Sequence, residues 1–305
     1  MATIGEVTEA VGTRDALARA RQRASLVPDL LVDARRVVNT VIAGWHGRRK
    51  RGIGENFWQF RPYVEGEALS RIDWRRSARD DHTYVRDREW EAAHTVWLWA
   101  DPSPSMLYKS AGASVSKDSR ALVLILALAE LLSRSGERIA WPGLTDPIST
   151  RNGAERIATL LLQAPDLGAR PEFGLVKRYS DVVIASDFLD PVEETIAWLG
   201  PLAERGVRAH LIEVADPAEE NFPYSGRTEF RDPETGERLT AGRAETLADD
   251  YRRVYAARRD ELASWAKKRG WSYTVNHTDR LASEALVRVH AAMTSQPAFG
   301  GGVAA

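Results

Sequence analysis

Asp101, Ser103 and Ser105 occupy alternate positions in Asp101-Pro-Ser-Pro-Ser-Met106, so one carboxylate and two hydroxyls fall within five residues. In extended or turning backbone, alternate residues point the same way and three oxygens can converge on one point. Hard oxygen donors carrying a single negative charge suit Mg²⁺ or Mn²⁺. The same residue types are also ordinary turn-formers and helix caps, and the motif alone does not separate the two roles. Pro102 and Pro104 stiffen the loop, which either preorganises the oxygens or simply ends the strand. A second acidic group, Asp187, closes the run Ser180-Asp-Val-Val-Ile-Ala-Ser-Asp187 in the same way.

These residues need elements that present them. Thr95-Val-Trp-Leu-Trp-Ala100 and Ser180–Asp187 read as buried strands, each stopping at an acidic residue. After the first loop, Ser116 or Asp118 caps a helix that runs to about Arg134 and is apolar on nearly every side. Further strands are expected over 137–144, 207–214 and 271–276, and helices over 153–163, 191–205, 243–268 and 281–293. Alternating strands and helices predict an α/β fold with a mostly parallel sheet covered on both faces. Ligands of such sheets gather beyond the carboxyl ends of the strands, where Asp101 and Asp187 both fall. Residues 219–240 read as a hairpin insertion.

The N-terminal third differs in character. Apolar residues recur at helical spacing from Arg14 to about Ala43, with Pro28 marking a start or break. His46–Gly52 is a short basic run, and residues 55–93 interleave aromatic residues with arginines. Strands are expected over 57–64 and 83–91, with a short helical turn over 69–78. Such interleaving can grip single-stranded nucleic acid; the reading favoured here is internal ion pairing, Asp73 with Arg75 or Arg79 and Glu65 or Glu67 with Arg61 or Arg71. The expected organisation is therefore a tail over 1–13, an N-terminal block over 14–92, an α/β domain over 93–294 and a tail over 295–305.

The order Gly54-Glu-Asn-Phe57, Arg61-Pro-Tyr63, Glu65-Gly-Glu67, Arg71-Ile-Asp73-Trp74-Arg75, Ser77-Ala-Arg79 and Asp101-Pro-Ser-Pro-Ser-Met106 resembles the bacterial and archaeal family called domain of unknown function fifty-eight. The resemblance implies a von Willebrand factor A-like (Rossmann-type) domain with its own N-terminal extension. It implies a metal-ion-dependent adhesion site in which Asp101, Ser103 and Ser105 match the first motif and Asp187 the later acidic ligand. Thr150 is the best candidate for the threonine of that site and Thr145 the second, although the family's Gly-Thr context is missing. Arg61, Tyr63, Asp73, Trp74, Arg75 and Arg79 are motif residues of possible interaction. The implied partner is a MoxR-type AAA+ ATPase, with this chain as a non-enzymatic adaptor to a client protein. A metal-dependent hydrolase using Asp101 and Asp187 is the alternative, and no general base stands in either motif.

Composition narrows the choice. A net charge of −1 provides no global field toward nucleic acid or anionic lipid. Zero cysteines exclude disulfides and thiolate metal sites, in keeping with a reducing cytoplasm. The most apolar stretch, Ala121–Leu132, is far shorter than the ~20 residues a membrane span needs. No phosphate-binding G-x-x-x-x-G-K-[ST] loop is present.

Overall fold

A computed structural model describes residues 13–46, 59–64, 69–79, 82–87, 94–164 and 170–295. The expected N-terminal tail, most of the basic run, Glu65, Glu67 and the C-terminal tail lie outside the described residues. The chain divides into two units, residues 1–43 with 94–305, and residues 44–93.

The larger unit begins with α1 (Thr13–His46), a single helix that carries Pro28 in its interior rather than breaking there. In the smaller unit, β1 (Gln59–Pro62) pairs antiparallel with β2 (Tyr84–Asp87), and the short α2 (Trp74–Ser77) lies between them in sequence. The larger unit resumes with β3 (Thr95–Ala100), α3 (Lys117–Arg134), β4 (Arg138–Ala140), α4 (Gly153–Gln163), β5 (Asp181–Ser186), α5 (Val192–Glu204), β6 (Arg208–Ala215) and α6 (Pro217–Asn221). The hairpin β7 (Thr228–Arg231) and β8 (Arg238–Ala241) follows, then α7 (Ala248–Lys267), β9 (Ser272–His277) and α8 (Ala282–Ser295).

Five parallel strands form the central sheet in the order β4-β3-β5-β6-β9. Counted along the chain that order is 2-1-3-4-5, so the winding reverses between β3 and β5. β3 and β5 are buried along almost their whole length, which explains their continuous Val, Ile, Leu and Trp runs. Helices α3, α4 and α8 pack together on one face, while α5 and α7 pack together on the other. Trp198 of α5 meets Trp99 of β3 edge-on, with ring centroids 5.4 Å apart.

The expected grouping of α1 with the arginine-rich segment does not hold. Val27, Leu30, Ala34, Val38 and Val41 form a stripe on α1 that joins the main core, and Arg35 pairs with Glu155 of α4. Helix α3 thus lies between the sheet and α1, and this second cover accounts for its apolar circumference. Among the described residues, no helix is long and apolar enough to cross a membrane.

In the smaller unit, Asp73 organises the entry into α2. Its carboxylate caps α2 by accepting the Arg76 backbone N–H at 3.0 Å, and its own N–H donates to the Tyr84 carbonyl at 2.9 Å. Arg61 lies opposite Val85 on the β1–β2 ladder, and the Tyr63 N–H donates to the Thr83 carbonyl. Trp74, Arg75 and Arg79 are exposed.

Candidate functional site

The two acidic strand ends meet at the point where the winding reverses. β3 and β5 are adjacent and in register through Ala100 and Ala185, so Asp101 and Asp187 emerge from neighbouring carboxyl ends. The loop after β3 turns at once, because Asp101 Oδ1 accepts the Ser103 N–H at 2.8 Å. A 3-10 turn over Pro104–Leu107 then brings Ser105 Oγ to 3.2 Å from Ser103 Oγ. Asp101 Oδ2 accepts the Ser186 hydroxyl at 2.6 Å across the two strands, and the Ser105 hydroxyl helps to keep the Asp187 carboxyl low. Asp101, Ser103, Ser105 and Asp187 therefore converge in one place. Burial, reinforced by the charge of Asp187, raises the Asp101 carboxyl above the usual carboxylate range.

Thr150 does not join them. Ile148 pairs antiparallel with Ile139, so the chain from 148 to 150 runs back toward the amino end of the sheet. Gly153 follows there, with Ser133 of the last turn of α3 close beside it. The site lies by the first turn of α3, and 18 residues of helix span about 27 Å. Thr150 as the threonine ligand is thus corrected. Thr145 lies at the right end of the sheet, and its hydroxyl oxygen accepts the Trp141 N–H at 2.9 Å.

A residue that sequence reasoning passed over sits beside the two aspartates. Lys117, the first residue of α3, is fully buried. Its ammonium donates to Asp187 Oδ2 at 2.8 Å and to Glu219 Oε1, with the Tyr108 ring 5.8 Å away. Burial alone would lower the Lys117 pKa; the charges of Asp187 and Glu219 outweigh it and raise it. Likewise burial would raise Asp187, but Lys117, Ser105 and the Leu189 N–H hold it below the usual range. Glu219 is fixed by a capping box on α6. Asp216 Oδ1 accepts the Ala218 N–H at 2.9 Å while Glu219 Oε2 accepts the Asp216 N–H at 3.0 Å. The other Asp216 oxygen accepts the Ser110 N–H at 2.9 Å, tying α6 to the loop after β3.

Two further contacts complete the surroundings. Glu234, at the tip of the β7–β8 hairpin, accepts the Ser105 backbone N–H at 3.0 Å. Behind the site, Arg258 of α7 donates to the Asp187 and Phe188 carbonyls and to buried Glu213 of β6 at 3.3 Å. Those bonds hold Phe188 at φ 49°, a conformation uncommon for a bulky residue. Asp216-Pro-Ala-Glu219 has a readable capping pattern, and a lysine at the start of a buried helix is anomalous because that end favours anions. Nothing in the sequence separates Glu234 or Arg258 from other surface charges.

The residues present do not fit a divalent ion shared by Asp101 and Asp187. Asp187 is already paired with Lys117, and a divalent ion about 4 Å from the ammonium would be repelled by about 8 kcal/mol at the effective dielectric near a protein surface. Thr150 lies at the other end of the sheet, and the hydroxyl oxygen of Thr145 is taken up by the Trp141 N–H. Among the described residues, no group of three or more His, Asp or Glu side chains is arranged to hold a metal ion.

The sequence matches the family described as Protein of unknown function DUF58 over residues 59–261. The chain belongs to this DUF58 family. That span includes the smaller unit's strands, both strand-end loops, Lys117, Glu219 and the hairpin. Among curated proteins, the chain is similar to Uncharacterized protein Rv1480 of Mycobacterium tuberculosis (strain ATCC 25618 / H37Rv), 29% identical over 284 residues, covering 84% of this chain and 85% of that protein. Uncharacterized protein MAV169 of Mycobacterium avium is 33% identical over 122 residues, covering 39% of this chain and 68% of that protein. No solved structure gives a significant match.

Proposed function

We propose that this DUF58 chain is a non-enzymatic adaptor that docks an acidic segment of a partner protein at the carboxyl end of β3 and β5. The α/β unit is read as von Willebrand factor A-like, and the partner as a MoxR-type AAA+ ATPase that acts on a client held by the same chain. One observation carries the docking reading: the Ser105 N–H, flanked by the Ser103 and Ser105 hydroxyls, accommodates the Glu234 carboxylate. A site that takes a glutamate from its own hairpin has the donors to take one from a partner. The location, where the winding of a doubly wound sheet reverses, is where such folds bind ligands. The divalent cation expected from the motif is left out of this reading because the residues do not fit it.

Equilibrium binding to the MoxR-type ATPase of the same genome, held nucleotide-free, tests the proposal. The Ser103→Ala/Ser105→Ala double variant is expected to bind at least about tenfold more weakly, a loss of about 1.4 kcal/mol, while remaining folded and losing less stability than Lys117→Ala. Equal affinity in the double variant would contradict it.

A further inference from the structure

We infer that the Lys117 ammonium is the resident cation of this site and takes the place of a bound divalent ion. The inference rests on the geometry of the site and not on its use in docking.

Three observations carry it. The ammonium is inaccessible to solvent and bonded to two carboxylates from different elements, Asp187 after β5 and Glu219 on α6. An ammonium has three donors and no acceptor, so it crosslinks carboxylates much as a small cation does. Its position is also one that local helix physics disfavours. Lys117 opens α3, where the helix dipole and the free N–H groups favour negative charge. Its charge is held there by Asp187 and Glu219, and Ser116 rather than Lys117 provides the cap by accepting the Ser119 N–H.

The cage is built from parts that are themselves fixed. Glu219 is held by the capping box with Asp216, and Asp216 reaches the Ser110 N–H. The second Asp187 oxygen accepts the Leu189 N–H at 3.2 Å, and Arg258 grips the carbonyl behind it. Lys117 thereby ties the loops after β3, β5 and β6 together, as a metal bridging those loops would. Unlike a metal, it leaves no exchangeable coordination position for a partner's carboxylate. Partner recognition then falls to the Ser103 and Ser105 donors, and chelators leave it unchanged.

Titration of the intact chain with Mn²⁺, read by calorimetry and by the electron paramagnetic resonance of free Mn²⁺, tests the inference. Wild-type protein is expected to show no saturable binding at millimolar Mn²⁺. Lys117→Ala, which frees Asp187 and Glu219 and opens space beside Ser105, is expected to gain one Mn²⁺ site that Mg²⁺ competes for, and its melting temperature is expected to rise with added Mn²⁺. Saturable binding by the wild type that is lost in Asp101→Asn would overturn the inference without recourse to the lysine variant. A folded Lys117→Ala that binds no Mn²⁺ would overturn it as well. Either failure leaves the docking assay with Ser103→Ala/Ser105→Ala to be judged separately.

Discussion

At the scale of single residues, the site is decided by which carboxylate has a cation. Lys117 is shared by Asp187 and Glu219, holding Asp187 low while burial still raises Glu219, whereas Asp101 is stabilised by the Ser186 hydroxyl and the Ser103 N–H. Removing one partner of a buried ion pair leaves an uncompensated charge, so Lys117→Ala is expected to cost about 3–5 kcal/mol of stability. The shift of the urea midpoint should exceed that of Ser103→Ala, which removes a half-buried hydroxyl. Asp101 also has a signature in pH. Its folded-state carboxyl is raised by burial and by Asp187, so the folded chain holds its proton to higher pH than the unfolded chain does. Stability from this group is present below the ordinary Asp value of about 4 and is lost as pH rises through the higher folded one. The stability of Asp101→Asn relative to wild type should therefore improve as pH rises from about 4 through the higher folded value, and level off above it. A constant difference across pH, measured from urea midpoints, would show that Asp101 ionises as easily in the fold as out of it.

At the scale of elements, the strands and helices were legible because their apolar runs and periods are strong. The expected bounds of Gly153–Gln163 and of β3 match to the residue, and those of α3 nearly so. The site was half legible. Asp101, Ser103, Ser105 and Asp187 are announced by strands that stop at acidic residues, which is local information. Thr150 was misplaced because its position depends on a bridge, Ile139 with Ile148, that turns the chain back along β4. Lys117, Glu219 and Glu234 come from segments far apart in sequence and meet only when the sheet is wound. The close approach of α3 and α4 gives a sharp test of that winding. A Cβ on Gly153 would meet Ser133 Oγ at 2.6 Å and Ile139 Cδ1 at 2.9 Å. Gly153→Ala is expected to destabilise by about 1–3 kcal/mol, and adding Ser133→Ala should recover part of that loss in thermal or urea unfolding. Full additivity of the two changes would argue against the contact.

At the scale of the whole molecule, the sheet is covered twice on one side, first by α3, α4 and α8 and then by the α1 stripe from Val27 to Val41. Truncation of residues 1–43 is expected to bare the outer face of α3, and a rise in binding of a hydrophobic dye would register it. The expected boundary after residue 92 falls within one residue of the observed one, whereas the expected placing of α1 with the arginine-rich segment differs, since amphipathic periodicity shows that a helix has a partner without naming which one. At the carboxyl end of the sheet, the loops after β3, β5 and β6 and the tip of the β7–β8 hairpin meet in one site. Hydrogen exchange of the chain alone and with the proposed MoxR-type ATPase partner tests docking at this end most directly. Docking in place of Glu234 predicts slower exchange at residues 101–108 and 187–190 on binding, with faster exchange across β7 and β8 as the hairpin tip is released. Protection confined to the β1–β2 unit or to the outer face of α7, with the Ser105 amide unchanged, would contradict it.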